Sequence, residues 1–510
     1  MVLGDKVRKV IGYTIGEATP TKVTFISKEV PTVGQYVVLE YCDKRVLGMI
    51  QSLVRGSVSI TENIYDPTAV ERIRIFENSG THYIKGTIKI LGDVESLKIP
   101  RTPPPPATEV YEADSNTLRQ IFGNDSGVGI KIGVLISQPN VPVYVDINKM
   151  VSRHLAILAI TGAGKSNTVA IIADGIAQLG GAVLIFDMHS EYSTARFKSG
   201  KPNVIQARIN PVNLSTSELL KLLNIDQSSF KQERYFRKAL KEAKRKLLSG
   251  LIHPDQLLGV IQRELERYSE EDRYKPDRSS IMSVANKVEG LLDRYEHVID
   301  YYAPDVVDQL KLGRVNVVDL GQVDEEAADV IVSHSLSSLL SSRKRYTTRG
   351  EGIPFPVFVV LEEAHILAPK DRSTLSKYWI SRIAREGRKF GIGLCLVSQR
   401  PKALDPNTLS QMNNMIVLRL VEPSDQRYVQ EASETLSEDL VEQLPSLNVG
   451  EAIVLGMMVK IPALVKIDKF EGKLIGGDLD VVRAWKRCSS ILTKKAVVET
   501  RELDNMLESW

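Results

Sequence analysis

The sequence predicts an α/β fold in which helices cover a largely parallel β-sheet. Apolar runs of strand length recur along the chain at 154–160, 182–187, 314–320, 356–361, 393–398 and 414–420. Helix-periodic segments separate most of these runs, and strand–helix–strand units of this length form parallel sheets. The first run leads into a loop with two glycines, then Lys-Ser and a helix. Together these observations predict the core of a P-loop NTPase.

The loop at 159–166 reads Ala-Ile-Thr-Gly-Ala-Gly-Lys-Ser. Gly162 and Gly164 allow the backbone to curl so that its N–H groups point at phosphate oxygens, and the following helix adds the positive end of its dipole. Lys165 supplies a charge for the β- and γ-phosphates, and the Ser166 hydroxyl can bind Mg²⁺. The usual pattern has glycine where this chain has Ala159. The alternative is a glycine-rich turn before a structural helix. The predicted nucleotide-binding residues are Thr161, Gly162, Ala163, Gly164, Lys165, Ser166 and Asn167, with Arg153 as a lesser candidate.

Length and composition limit the class of protein. A chain of 510 residues is expected to form about two to four domains. The net charge of +3 neither requires nor excludes a nucleic-acid partner. The three cysteines are far apart in sequence, which argues against a zinc knuckle or a disulfide framework. No signal core and no run of about 18 apolar residues is present, so we expect a cytoplasmic protein without a membrane span.

The predicted domain order places a barrel before an interrupted core. Short apolar runs between turn signals in residues 1–100 are typical of a small β-barrel or sandwich, used for interaction or as a platform. The Pro-rich segment at 99–106 marks a domain boundary or a rigid excursion within one domain. The core is expected in two parts, 101–215 and 313–470, separated by a helical insertion at 216–312. Residues 471–510 are expected to form a C-terminal helical arm.

Two basic segments are candidates for nucleic-acid contact. The first lies in the insertion, at 231–246, and the alternative for it is a solvated helical face with ion pairs four residues apart. The second, at 343–349, is predicted to be a loop after a helix at 325–342. Residues 215–218, Ser-Thr-Ser-Glu, predict a capping box that opens the insertion.

Two carboxylates directly follow the apolar run at 356–361. An acid at the tip of this strand is needed to hold the Mg²⁺ shell, and Glu362 stands where aspartate is commoner. Glu363 is placed to act as a general base on the attacking water. The alternative is a pair of solvated acids at a strand end. Gln399, at the tip of the next strand, fits a γ-phosphate sensor or a residue that orients the attacking water, and the alternative is a polar strand cap.

A polar cluster also follows the run at 182–187. Because ligands gather at the carboxyl ends of parallel strands, Asp187 and Glu191 are predicted to support the catalytic water or the Mg²⁺ shell. A metal triad of these two residues with His189 is a weaker hypothesis.

The helix predicted at 374–390 is rich in arginine. Arg382 and Arg385 are three residues apart and can share a face. Arg388 lies near the helix end, where it can stabilise transition-state charge at a neighbour's γ-phosphate. The alternative for these arginines is a surface or DNA-facing role.

The ordered motifs at 154–168, 186–192, 357–365 and 384–401 resemble the archaeal HerA family of DNA translocases, in the HerA/FtsK branch of RecA-like ATPases. The resemblance covers nearly the whole chain, including the leading barrel. It implies a homohexameric ring that hydrolyses ATP with Mg²⁺ between subunits and pumps double-stranded DNA through its pore. It also implies the nuclease NurA as a partner in resecting double-strand breaks. Matched by motif, Lys165 and Ser166 bind phosphate and Mg²⁺, Glu362 and Glu363 form the acidic pair, and Arg388 is the trans-acting arginine.

The residues themselves leave three functions open. The first is an ATP-driven DNA-translocating ring, the second a rotary or protein-moving ATPase, and the third a nucleotide-gated scaffold. The presence of Glu363, Gln399 and Arg388 favours turnover over the scaffold. The sequence pattern does not distinguish DNA from protein as the translocated polymer.

Overall fold

The computed structural model describes residues 9–76, 82–123, 127–226, 228–472, 474, 481–483, 485 and 488. Within these residues, a closed barrel precedes an 11-stranded sheet with helices between its strands. The predicted fold class, an α/β P-loop core behind a small N-terminal β-barrel, is confirmed. The predicted C-terminal arm at 471–510 lies almost entirely outside the described residues. Among the described helices, none has both the length and the apolar character needed to cross a membrane.

The N-terminal barrel closes in the strand order β1-β2-β5-β4-β3-β6, and every neighbouring pair is antiparallel. Its interior is filled by alternate apolar side chains, among them Phe25, Leu39 and Ile88, which are fully buried. The closing strand β6 comes from beyond the Pro-rich segment. The elements are β1 Val10–Ala18, β2 Lys22–Ser27, β3 Tyr36–Tyr41, β4 Lys44–Ser57, α1 Pro67–Phe76, β5 His82–Asp93 and β6 Glu109–Glu112.

Four elements connect the barrel to the P-loop strand. They are α2 Ser115–Phe122, β7 Gly129–Leu135, β8 Pro142–Asp146 and α3 Ile147–Arg153. Helix α2 begins where the Asp114 carboxylate accepts the backbone N–H groups of Asn116 and Thr117. Strands β7 and β8 form the antiparallel edge of the large sheet.

The large sheet has the order β11-β12-β10-β13-β14-β9-β15-β16-β17-β7-β8. The seven strands from β11 to β15 in this order are parallel, and the remaining pairs are antiparallel. The central parallel strands are continuous apolar runs because both faces are covered. The strands are β9 Leu155–Leu158, β10 Ala182–Asp187, β11 Asn203–Gln206, β12 Val315–Asp319, β13 Val357–Leu361, β14 Ile392–Ser398, β15 Asn414–Leu418, β16 Glu451–Gly456 and β17 Ala463–Ile467.

The helical insertion lies between β11 and β12. It opens with the predicted capping box, in which Ser215 and Glu218 exchange side-chain and backbone hydrogen bonds. Its long helices pack on one another through buried residues such as Phe236, Ile261 and Val284. Its helices are α5 Thr216–Leu222, α6 Phe230–Leu248, α7 Leu257–Glu270 and α8 Arg278–Arg294.

The helices after the insertion are α9 Glu325–Arg349, α10 Ala364–Leu367, α11 Leu375–Glu386, α12 Pro406–Leu409, α13 Pro423–Ala432 and α14 Glu438–Val441. The prediction of a basic loop at 343–349 is wrong, because α9 continues through this segment and ends at Gly350. No glycine or proline interrupts the segment, and Gly350 adopts the left-handed conformation (φ 73°) that closes helices. Helix α9 packs against α5 and α11.

A partly buried histidine holds the insertion against α9. His334 Nε2 lies 3.1 Å from Asp305 Oδ1, and its Nδ1 lies 3.5 Å from Glu218 Oε2. Burial opposes the charge on His334, but the hydrogen bonds to Asp305 and Glu218 outweigh it and raise the His334 pKa to about 9. The same contacts lower the pKa of both carboxyls. The start and end of the insertion are thus tied to one core helix by a charged cluster.

The substitution His334→Asn tests this cluster through the pH dependence of stability. The folded pKa of about 9 exceeds the ordinary 6.5, so the stabilisation is complete below pH 6.5 and is lost as pH rises through 9. We expect wild type to exceed the variant by about 3 kcal/mol in unfolding free energy near pH 7, and the difference to shrink by pH 10. Urea denaturation at both pH values measures it, with the exposed His297→Asn as control. A pH-independent difference would contradict the ionic clamp.

Candidate nucleotide site

The P-loop lies at the carboxyl end of β9. Gly162 and Gly164 have φ of 75° and 109°, left-handed values that favour glycine, and α4 Lys165–Gln178 starts immediately afterwards. Ala159 is fully buried, and its N–H donates to the Ser398 carbonyl at 3.2 Å. The backbone φ angle of Ala159 is not positive, so this residue does not adopt the left-handed conformation that favours glycine. The first loop position therefore does not require glycine in this chain.

The ammonium group of Lys165 faces a group of acids. Its Nζ donates to the Ile160 carbonyl at 3.4 Å. Burial lowers the Lys165 pKa, while the carboxylates of Glu363, Glu362 and Glu191 act in the opposite direction. The sequence separates these acids from the P-loop by up to 200 residues, and the parallel sheet brings them to one edge. The site therefore pairs a mobile cation with a concentrated negative charge.

Glu362 lies in the interior at the tip of β13. Its side chain is almost fully buried, and the Tyr192 hydroxyl donates to its Oε1 at 2.5 Å. Burial raises the Glu362 pKa to about 8, the neighbouring carboxylates of Glu191 and Asp187 add to the rise, and the Tyr192 hydrogen bond works against it. This carboxylate is thus held by one donor in a position where its charge is costly without a cation.

Glu363 adopts a left-handed backbone conformation, with φ 46° and ψ 44°. Non-glycine residues pay strain energy there, and such residues cluster at functional sites. The carboxylate lies between two imidazoles, with Oε2 3.2 Å from His365 Nδ1 and Oε1 3.5 Å from His189 Nε2. The Ser398 hydroxyl lies 3.2 Å from the same His365 nitrogen. The left-handed turn sets the direction of the Glu363 side chain, and the two imidazoles flank its carboxylate, whose Oε2 has no hydrogen-bond partner among the described residues.

Asp187 shapes the turn that follows β10. Its carboxylate accepts the backbone N–H groups of His189 at 3.3 Å, Glu191 at 3.1 Å and Tyr192 at 2.8 Å. These bonds occupy both carboxylate oxygens. In this structure Asp187 therefore positions Tyr192 and Glu191 through their backbone N–H groups. Glu191 itself is closer to the chemistry, because its Oε2 is buried without a hydrogen-bond partner in the described part of the chain.

Two further predicted residues lie beside the P-loop. The Thr161 hydroxyl donates to Gln399 Oε1, which places Gln399 against the loop. Asn167 faces elsewhere, since its Nδ2 donates to the Asp468 carbonyl at 2.8 Å and its Oδ1 accepts the Phe470 N–H at 2.8 Å. The Asn167 side chain therefore anchors the segment after β17 and leaves only its backbone to the nucleotide.

The structure does not bring Arg388 or Arg153 to the P-loop of their own chain. Arg388 lies in a short 3₁₀ turn at the amino end of β14, and Gln399 follows the carboxyl end. A seven-residue strand spans about 23 Å. Arg153 ends α3 at the amino end of β9, and the P-loop follows the other end. Both arginines thus lie at the edge of the sheet opposite the acids.

The two basic segments are largely engaged within the chain. In the insertion, four of the basic side chains form ion pairs at 2.5–2.8 Å: Lys231–Asp277, Arg237–Glu233, Arg245–Glu242 and Lys246–Glu264. Arg343, in the second segment, is only 6% exposed. These contacts favour the solvated, ion-paired alternative for 231–246 and remove Arg343 as a surface contact.

Sequence reasoning missed the roles of Tyr192, His189 and His365. Their spacing in the two motifs was visible, but the hydrogen bond from Tyr192 to Glu362 joins positions 170 residues apart. The only local signal is that all three side chains follow a strand end. The pairing of β10 with β13 as neighbouring strands brings these three side chains to the acids that they contact.

Comparisons with known proteins match this architecture. Residues 130–339 match the family model described as "Helicase HerA, central domain", residues 348–469 match "Helicase HerA-like C-terminal", and residues 11–96 match "HAS barrel domain". A probable helicase of Methanocaldococcus jannaschii is 44% identical, with 94% of each chain covered. The DNA double-strand break repair helicase HerA of Saccharolobus solfataricus is 44% identical, with 94% of this chain and 96% of the relative covered.

Among solved structures, VirB4 of Thermoanaerobacter pseudethanolicus is similar with a TM-score of 0.49 and 16% identity, covering 68% of this chain and 97% of that one. This similarity is too distant to indicate a function.

The substitution Tyr192→Phe tests the support of Glu362. It removes the one hydroxyl that donates to this buried Oε1 in the described part of the chain and keeps the ring, so we expect nucleotide hydrolysis to fall about tenfold while nucleotide affinity is unchanged. Steady-state turnover and equilibrium nucleotide binding measure the two effects. Tyr235→Phe is the matched control, because its hydroxyl donates at 2.8 Å to Asp277 in the insertion. Equal turnover in Tyr192→Phe and wild type would show that the hydrogen bond does not matter.

Proposed function

This chain belongs to the HerA helicase family, and we propose that it is an ATP-driven motor that moves double-stranded DNA. The observation that carries the proposal is the arrangement of Glu362 and Glu363, which project from the tip of β13 towards the P-loop lysine. A scaffold that only binds nucleotide needs the loop and its lysine. Hydrolysis also needs a group that takes the proton of the attacking water, and the carboxylate of Glu363 can do this.

We assign the side chains of the P-loop edge to distinct roles. Lys165 and the loop N–H groups bind the phosphates, and Gln399, held by Thr161, contacts the γ-phosphate or the attacking water. Glu363 takes the proton of that water, and His189 and His365 on either side of its carboxylate keep it aimed. The nucleotide contacts of Thr161, Gly162, Ala163, Gly164 and Asn167 are proposed for the backbone of the loop.

The donor set fits Mg²⁺. Ser166 and Glu362 offer the oxygen ligands that this ion prefers, and the buried, unpartnered Oε2 of Glu191 faces the same group of charges in the described part of the chain. When bound, the cation would neutralise phosphate charge. Glu191 is proposed to support this shell directly, and Asp187 indirectly through the turn that carries Glu191.

The site is proposed to be completed by a second subunit. Arg388 is exposed, and in the described residues its side chain makes no hydrogen bond or ion pair. It lies at the opposite edge of the sheet from the P-loop, so it is free to reach the site of a neighbour. We propose a homohexameric ring in which Arg388 of one subunit stabilises the transition-state charge at the next.

The polymer is proposed from the relatives. Several are named as DNA double-strand break repair helicases, including those of Saccharolobus solfataricus and Sulfurisphaera tokodaii. From this sequence similarity we propose that the chain acts on double-stranded DNA in the cytoplasm. We further propose that it takes part in double-strand-break resection with the nuclease NurA as partner.

Linear duplex DNA is expected to raise the rate of ATP hydrolysis. Phosphate contacts strengthen as salt falls, so the stimulation should be largest at low ionic strength. A coupled ATPase assay over a series of DNA and salt concentrations measures it. Glu363→Gln is the control: it should bind ATP as wild type does and show no turnover with or without DNA. Absence of stimulation at low salt would contradict the DNA motor and favour a protein-moving ATPase.

A further inference from the structure

The guanidinium of Arg343 is buried at the carboxyl end of α9. Its residue is 6% exposed, and burial lowers its pKa. Buried cations are usually paired with a carboxylate, because an isolated charge is costly to remove from water. In the described residues, Arg343 has no such ion pair. Its hydrogen-bond acceptors are backbone carbonyls, so the charge serves to hold two segments of main chain.

The first of these segments is the turn that carries Arg388. Arg343 Nε donates to the Phe390 carbonyl at 2.7 Å, at the end of the 3₁₀ turn Gly387–Phe390. Arg343 Nη1 donates at 2.7 Å to the Ile353 carbonyl, in the segment that leads to β13. The rigid fork of the guanidinium can bridge two carbonyls in a fixed geometry, which a lysine cannot reproduce.

The packing around this fork is tight. Gly391, directly after the turn, has φ 70°, and a Cβ at this position would lie 3.2 Å from Arg343 Nη2. The N–H of Gly391 bonds to the Arg388 carbonyl, and its own carbonyl accepts the Val357 N–H at 3.0 Å. The Phe390–Gly391 peptide group therefore joins the Arg388 carbonyl to the guanidinium, and the Gly391 carbonyl joins the turn to the first residue of β13.

The next residue of α9 secures the other end of the turn. Lys344 Nζ donates to Glu386 Oε2 at 2.9 Å and lies 5.0 Å from the centre of the Phe390 ring. Glu386 immediately precedes the turn, and the hydrogen bond from Lys344 lowers its pKa. Adjacent α9 residues thus hold the residues on both sides of Arg388, while the Arg388 side chain itself is exposed.

We propose that Arg343, assisted by Lys344, is a positioning residue that fixes the turn Gly387–Phe390 so that Arg388 projects in one direction toward a neighbouring subunit. The inference rests on the proposed function, in which Arg388 acts in trans. Among the described residues Arg343 pairs with no carboxylate, and its effect on hydrolysis passes through the Arg388 backbone. Arg343 therefore acts from the interior of the subunit.

A double-mutant cycle tests this role. Arg388→Ala should lower ATP turnover strongly, and Arg343→Met should lower it at least about tenfold by releasing the turn. If Arg343 acts through Arg388, the double variant should be no slower than Arg388→Ala alone, whereas an effect carried through Ile353 and β13 to the acids would slow it further. ATP affinity should be unchanged in all three, since the P-loop lies at the other edge of the sheet. Arg263→Met, which changes an exposed arginine of α7 outside both basic segments, is the matched control and should hydrolyse as wild type does.

The outcomes separate this inference from the function it rests on. Full turnover in Arg343→Met would overturn the positioning role of Arg343. So would a double variant whose loss of turnover is the product of the two single losses. Neither result would contradict the trans role of Arg388. Unchanged turnover in Arg388→Ala would contradict the trans arginine itself. If Arg343→Met does not fold, the same cycle is carried out with Lys344→Met. We then expect a smaller loss of ATP turnover, and no further loss when Lys344→Met is combined with Arg388→Ala.

Discussion

The site depends on the burial of several acids around one lysine. Glu362 and Glu363 are 5% and 6% exposed, and the carboxylates around Glu362 add to the cost that burial places on its charge. Lys165 offsets part of this repulsion, and Tyr192, His189 and His365 hold the side chains in place. The parallel sheet imposes this arrangement, because β9, β10, β13 and β14 all end at one edge. The same crowding creates a site suited to a divalent cation and a polyphosphate.

Sheet polarity also separates the proposed catalytic groups within one chain. Strands that deliver the acids and Gln399 to the carboxyl edge deliver Arg388 to the amino edge. In the proposed ring, an arginine there serves the site of another copy. The buried fork of Arg343 fits this division, since a side chain that must meet a separate subunit needs its direction fixed by its own subunit beforehand.

Local patterns made much of this predictable. The Lys-Ser after Gly164, the acids after an apolar run and the Ser215–Glu218 capping box each arise from neighbouring residues, and the structure has all of them. Partners distant in sequence were not predictable. Asn167 fits a nucleotide contact by position, yet its amide binds the backbone at Asp468 and Phe470. Arg343 belongs to a basic run typical of a surface loop, yet tertiary contacts at Phe390 and Ile353 bury it.

Mixing two inactive variants tests the half-site directly. Lys165→Ala lacks a working P-loop and retains Arg388, whereas Arg388→Ala has the reverse defect. We expect each to hydrolyse ATP poorly alone, and the mixture to regain part of the wild-type turnover once subunits exchange, because some junctions then combine an intact P-loop with an intact arginine. Native mass measurement verifies that mixed rings form. Mixed rings without any recovered turnover would contradict a site shared between subunits.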